Sequence, residues 1–166
     1  TGILDRMYNT RLLMDIEIKE GYGNLKDIKA LFQEYTSWLG IDLSYQNYTE
    51  EYLCLPGKYA KPDGRLYIAY VDGMAAGCIG LRKLDTQKAE IKRLYVRTQF
   101  RGLHIGRLLA EQVVQEAKAI GYQSIVLDTL FSMESARGLY KSLGFIETPP
   151  YYETPVPDTC FLYLAL

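Results

Sequence analysis

Between Arg65 and Val96 three strand-like runs follow one another with no helical stretch between them. This succession restricts the available folds more than any other feature of the chain. Arg65–Val71 and Met74–Arg82 are joined by Asp72-Gly73, a two-residue turn in which both positions need positive φ. Such a dipeptide between apolar runs is a strong hairpin signal. Ala89–Val96 follows the polar turn Asp85-Thr86-Gln87. Consecutive strands of this kind argue against a doubly wound parallel sheet and for a mixed sheet.

Helices are expected on both sides of this block. Ile16 and Ile18 alternate with polar neighbours as a short strand. Asn24 then reads as an N-cap and Asp27 as a favourable first-turn acid, ahead of Leu25, Ile28, Leu31, Phe32, Tyr35 and Leu39 at helical spacing. Gly40 stops that helix, and a weaker one is expected from about Gln46 to Leu53, before the loops at Pro56-Gly57 and Pro62-Asp63-Gly64. Beyond the strands, Ile105, Leu108, Leu109, Val113, Ala117 and Ile120 form one helical face that ends at Gly121. Ser124–Leu127 reads as a buried strand. Ser132 is placed to cap a helix with Met133, Ala136, Tyr140 and Leu143 on its stripe and Gly144 at its end. Phe145-Ile146, a Pro/Tyr-rich loop over Pro149–Asp158 and the alternating strand Cys160–Leu166 complete the order βα(α)βββαβαββ.

The 166 residues fit one domain, taking a domain as roughly 100–200 residues. Residues 1–13 read as a leader or vector-derived segment with Met14 as a natural start, leaving 14–166 as the domain. Net charge is −1 with no Lys/Arg cluster, so the footprint of a nucleic-acid binder is missing. No apolar run reaches the ~20 residues of a membrane span. The cysteines, Cys54, Cys78 and Cys160, are scattered and odd in number, which argues against a disulfide framework. The single histidine has no partners for a metal site, and the expectation is a metal-free cytoplasmic protein. A homodimer is compatible with this reading.

Ala89–Leu109 is the stretch richest in chemistry: a strand, a glycine-containing turn and a helix start. Unpaired N–H groups and the helix dipole make such a start an anion site. Gly102 and Gly106 permit close backbone approach, and Arg101 offers a permanently charged fork to phosphate. A plain strand-to-helix turn using glycine for φ explains the same residues equally well. Neither Gly-x-Gly-x-x-Gly nor Gly-x-x-x-x-Gly-Lys-Ser/Thr is present, which disfavours a dinucleotide fold or a P-loop.

Glu90-Ile91-Lys92-Arg93-Leu94-Tyr95-Val96 followed by Arg101-Gly102-Leu103-His104-Ile105-Gly106 closely resembles the core motif of the GNAT superfamily of acetyl-CoA-dependent N-acetyltransferases. Ala136–Phe145 resembles that family's second hallmark, a helix ending in Tyr-x-x-x-Gly-Phe. The resemblance spans about Asp15 to Leu166. It implies an α+β fold with a mixed, mostly antiparallel sheet of about six or seven strands and about four helices. It also implies acetyl-CoA as co-substrate. The strand backbone at Leu94, Tyr95 and Val96 would pair with the pantetheine arm. The N–H groups of Arg101, Gly102, Leu103, His104, Ile105, Gly106 and Arg107 would cradle the pyrophosphate. The sequence departs from the family at His104, where glycine is usual; the ring either crowds the phosphates or points outward.

By the same resemblance Tyr140 is the candidate acid for the departing thiolate, its phenol value near ~10 lying close to ~8.5 for a thiol. Membership of an apolar helix stripe is the alternative. Glu90 is the candidate base, acting through water. Strict alternation would set it on the same side as Lys92, Leu94 and Val96, and an ion-paired strand carboxylate is the alternative. The N–H of Val96, or of Leu94, would face the oxyanion. Tyr45, Tyr48, Tyr52, Tyr151 and Tyr152 suggest a wall for the acceptor, expected to be the amine of a small molecule or amino acid. A protein lysine or N-terminus is the second reading, and a non-catalytic coenzyme A sensor the third.

Overall fold

The protein is described by a computed structural model over residues 14–166, so the leader expected at 1–13 lies outside the described residues. A seven-stranded sheet is built from β1 (Ile16–Glu20), β2 (Arg65–Val71), β3 (Met74–Lys83), β4 (Lys88–Val96), β5 (Ser124–Leu130), β6 (Ile146–Glu147) and β7 (Thr159–Ala165). Its spatial order is β1-β2-β3-β4-β5-β7-β6, with β4 and β5 parallel and every other neighbouring pair antiparallel. The helices are α1 (Leu25–Leu39), α2 (Tyr48–Leu53), α3 (Ile105–Ile120) and α4 (Glu134–Ser142). No helix of the described residues is long and apolar enough to cross a membrane.

The expected hairpin is present, with Asp72 at φ 48° and Gly73 at φ 78°. On one face of the sheet, Leu109, Val113 and Ala117 of α3 pack on Ile79, Leu81, Ala89, Ile91 and Ile125. On the other, Ile28, Leu31 and Phe32 of α1 pack on Leu66, Ile68 and Cys78. The apolar stripes read from the sequence are therefore the two cores. Cys78 and Cys160 are buried free thiols, and Cys54 is exposed.

Several local expectations are corrected. The weak helix does not run unbroken from Gln46: a 3-10 turn at Ser44–Gln46 is separated from α2 by Asn47 in the left-handed region. Asn24 holds the N-cap position without a side-chain capping bond. Ser132 does not cap α4, because its hydroxyl and N–H both bond to the Asp158 carboxylate, and Met133 takes the cap position. β5 runs three residues past Leu127, to Leu130.

The consequential departure is in β4. Cys78 pairs with Tyr95 but Gly80 pairs with Lys92, so Arg93 and Leu94 together oppose the single residue Ile79. This is a β-bulge, and Arg93 adopts φ 59° within it. The extra residue reverses the alternation. Leu94 and Val96 pack with Ala89 and Ile91 on the α3 face, whereas Tyr95 packs toward α1. Glu90 keeps Lys92 as a same-face neighbour but is not on the side of Leu94 and Val96.

A second irregularity lies between β4 and β5. They pair only at Lys88–Ser124, Ala89–Ile125 and Glu90–Val126, though both strands continue. Beyond Glu90 the sheet is split.

Candidate functional site

The split opens into a cleft of about 940 Å³. Tyr35, Trp38 and Tyr45 line it on the α1 side, and Gly106, Leu139 and Tyr140 on the α3–α4 side. Between them run β4 from Ile91 to Val96 and β5 from Asp128 to Leu130. One continuous passage thus crosses the sheet.

At one mouth the chain turns from β4 into α3. A 3-10 turn at Thr98–Phe100 buries Phe100, and Arg101 N–H is spent on Thr98 O at 3.2 Å. From Gly102 to Arg107 no backbone N–H finds an acceptor among the described residues. Two residues set this run: Gly102 at φ 85° and His104 at φ 61°. Both are left-handed, a region that L side chains enter at a cost and that histidine visits more often than most. His104 therefore stands where a glycine would sit without strain, with an exposed side chain. Ile105 is buried and Leu103 packs against the core, so both anchor the loop by side chain while leaving N–H groups free.

The two arginines of the loop are engaged. The Arg101 guanidinium stacks over the Trp38 ring at 5.0 Å and donates from Nε to Val96 O at 3.3 Å. Arg107 donates to Glu111 at 3.0 Å and to the Ser142 hydroxyl at 2.5 Å, tying α3 to α4. Gly106 faces Leu139 and Val96, with room for an added Cβ at 3.5 Å from Leu139. The Tyr95 ring lies against Tyr35 and Trp38, so it can contribute to the α3-side mouth only through its backbone.

Tyr140 is 5% exposed, its ring edge-on to Phe145 at 5.5 Å. Its hydroxyl makes no hydrogen bond to the described residues and is not sealed from solvent, because it reaches the cleft. Burial pushes the phenol well above its ordinary value, so it holds its proton at neutral pH.

Glu90 is placed differently from the expectation. It is 1% exposed, outside the cleft lining, and both oxygens are engaged: one with Arg82 Nε at 2.6 Å, the other with the Tyr151 hydroxyl at 2.5 Å. Burial opposes its charge, yet Lys92 and Arg82 overcome that and hold the carboxyl below its usual value. Of the expected tyrosine wall, Tyr45 lines the cleft. Tyr152 reaches it indirectly, donating to Asp128 at 3.1 Å. Tyr48 and Tyr52 pack against the α1 core.

Sequence reading missed Lys92, Arg93 and Asp128 as site residues. Arg93 forms a two-pronged pair with Glu51 of α2, at 2.9 and 3.2 Å, and donates to Gln46 Oε1 at 2.8 Å. Lys92 donates to the same oxygen at 3.0 Å and lies 3.7 Å from Asp128 Oδ2. The available signal was Lys92-Arg93 in the middle of an apolar strand, where two adjacent charges cannot both face water on a covered sheet.

A strand bulged at Arg93, a split sheet and a row of free N–H groups at a helix start frame this one cleft. The family model described as acetyltransferase (GNAT) family matches residues 25–145, and the chain belongs to that family. An uncharacterised N-acetyltransferase of Dictyostelium discoideum is 38% identical, covering 92% of this chain and 100% of the relative. One of Schizosaccharomyces pombe is 40% identical over 86% of this chain and 89% of its own. Among solved structures, an acetyltransferase of Streptococcus agalactiae superposes with a TM-score of 0.77 at 24% identity, covering 91% of this chain and 98% of that one. An acetyltransferase of Bacillus anthracis in complex with acetyl-coenzyme A has a TM-score of 0.59 at 27% identity, covering 68% and 69%. The protein is an acyltransferase, as the resemblance implied, on the expected mostly antiparallel sheet.

Proposed function

We propose that the protein transfers the acetyl group of acetyl-CoA to the primary amine of a small molecule. The unpaired N–H groups from Gly102 to Arg107 carry this reading, since a helix start with that many free donors suits a pyrophosphate. The unpartnered β5-facing edge of β4 beyond Glu90 suits the amides of a pantetheine arm. The Bacillus anthracis neighbour, which holds acetyl-coenzyme A, supports the same choice. The cofactor would supply an activated acyl carbon and a thiolate leaving group.

The chain's own residues divide the remaining work. Gly102–Arg107 hold the phosphates, and Arg101 would give up its contacts with Trp38 and Val96 O to reach them. Leu94, Tyr95 and Val96 present backbone to the arm, and the N–H of Val96, or of Leu94, faces the developing oxyanion. Tyr140 donates its hydroxyl proton to the leaving sulfur; a phenol raised by burial yields its proton only to a strong base, and a thiolate in a dry cleft is one. Asp128, rather than the occupied Glu90, takes the proton of the incoming ammonium, because Asp128 lines the cleft and its Oδ1 has no hydrogen-bond partner among the described residues. Glu90, Arg82 and Tyr151 brace the cleft floor.

Thermal unfolding with added acetyl-CoA tests the reading. Binding should stabilise the fold by about 2.7 kcal/mol at a hundredfold excess over the dissociation constant. Thiol release from acetyl-CoA should then appear with small amines. Absence of stabilisation removes the cofactor assignment, and stabilisation without release to any amine removes the transfer assignment.

A further inference from the structure

The charges around the acceptor mouth match up in close pairs, with one looser exception. Glu90 is met by Arg82 and Tyr151. Glu51 is met by Arg93 at 2.9 Å and Lys58 at 2.7 Å. Lys92 and Asp128 form a loose ion pair across the start of the split, at 3.7 Å, too long for a hydrogen bond. The Lys92 side chain is 8% exposed, and its ammonium lines the cleft with one hydrogen bond, to Gln46. An ammonium carries three donors, so Lys92 is buried with donors unspent, an unfavourable state unless something completes them. Asp128 accepts from Tyr152 at Oδ2 and leaves Oδ1 open.

Resting on the transfer reading above, we propose that the acceptor is an amine that also carries a carboxylate, as an amino acid does. Its carboxylate accepts from Lys92 and its ammonium donates to Asp128 Oδ1. The chemistry excludes simpler acceptors. A plain amine would bring a second cation against the Lys92 ammonium and leave that group's donors unspent. A carboxylate without an amine has nothing to acetylate. The 3.7 Å separation of Lys92 from Asp128 requires the two charges of the ligand to be few bonds apart, as in an α- or β-amino acid. Arg93 cannot replace Lys92, because its guanidinium is held by Glu51 and Gln46. Tyr35, Trp38 and Tyr45 then offer an aromatic wall to the rest of the ligand. Burial also pushes the Lys92 ammonium below its usual value, and an arriving carboxylate would offset that.

The test compares glycine, L-leucine, L-phenylalanine and L-lysine, each with its amide and its decarboxylated amine. Calorimetric titration into the coenzyme A-saturated protein reads binding without turnover, and thiol release from acetyl-CoA reads transfer. The expected result is binding and transfer for at least one amino acid, with its amide and amine weaker by roughly 10- to 100-fold, the scale of one charged hydrogen bond. Lys92→Met should erase that difference, bringing the KM for the amino acid up to that for its amide in the same variant. Lys92→Arg should restore part of it, which a structural lysine would not do. Coenzyme A affinity and melting temperature report whether each variant is folded. Amides or plain amines bound as well as amino acids by the parent overturn the proposal, as does a preference that survives Lys92→Met. Carboxylate-selective binding without thiol release would uphold the Lys92 site and overturn the transfer reading instead.

Discussion

Tyr140 combines full burial of its ring with an unpartnered hydroxyl at a cleft. Phenylalanine in its place keeps the ring contact with Phe145 and removes one oxygen that bonds to nothing in the described residues. Tyr140→Phe should therefore leave the melting temperature and coenzyme A affinity nearly unchanged. If the hydroxyl is the acid, the single-turnover rate falls by about 10²-fold or more. A near-parental single-turnover rate would remove that role; steady-state rates are the wrong measure, since product release can mask the chemical step. His104 offers a second residue-level test. Glycine there releases left-handed strain, so His104→Gly should match or exceed the parent in stability, while the β-branched His104→Val should lose about 1–2 kcal/mol by denaturant titration. The positions of Tyr140, Gly102 and His104 were all legible from a local pattern of glycine, helix start and helix end, while the roles proposed for them rest on the family resemblance. Arg93, Lys92 and Asp128 were not. Their positions depend on a bulge and on where two distant strands part, and the one local sign, two adjacent charges in an apolar strand, does not say what either meets.

At the scale of elements, α2 is pinned to the bulge by one pair of charges. Glu51 and Arg93 side chains are both 3% exposed, and Lys58 also reaches Glu51. Removing one partner leaves an uncompensated buried charge, so Glu51→Ala should destabilise the protein by about 3–5 kcal/mol, measured by chemical denaturation. A loss below about 1 kcal/mol would mean that water reaches the pair. The short α2 supplies no fully buried apolar residue, which is why its apolar pattern was weak and its start misplaced at Gln46 rather than Tyr48. α1 and α3, by contrast, carry full buried faces, and their limits were readable to within a residue or so from spacing and from Gly40 and Gly121. The hairpin at Asp72-Gly73 was readable for the same local reason. Ser132 shows the limit of such reasoning: a good capping residue was claimed by Asp158, distant in sequence.

For the whole molecule, the buried acids set the response to pH. Glu51 and Glu90 are desolvated, but Arg93 and Lys58 in one case and Lys92 and Arg82 in the other hold them below the ordinary carboxylate value. Glu116 is held down by its hydrogen bonds from Tyr67 and Arg65. A depressed folded-state value means that the stabilisation is complete above the unfolded value, near ~4.3, and is lost as pH falls through the folded one. The melting temperature should be nearly flat from neutral pH to about 5 and fall steeply below about 4. Glu51→Gln should start lower and fall less steeply. A parent melting curve unchanged at about pH 3 would show that these pairs contribute little.

The split between β4 and β5 also bears on the order of events. Because the passage has one mouth beside α3 and another beside α1, two reactants can sit in it together, each entering without displacing the other. Nothing then obliges the protein to carry the acetyl group between visits. On the proposed reaction, initial rates measured at several fixed acceptor concentrations should give double-reciprocal lines that intersect, where a covalent acetyl-enzyme would give parallel ones. A single molecule joining coenzyme A to an amino acid should fill both mouths at once and bind more tightly than either half, its linkage sparing the entropy of a second arrival.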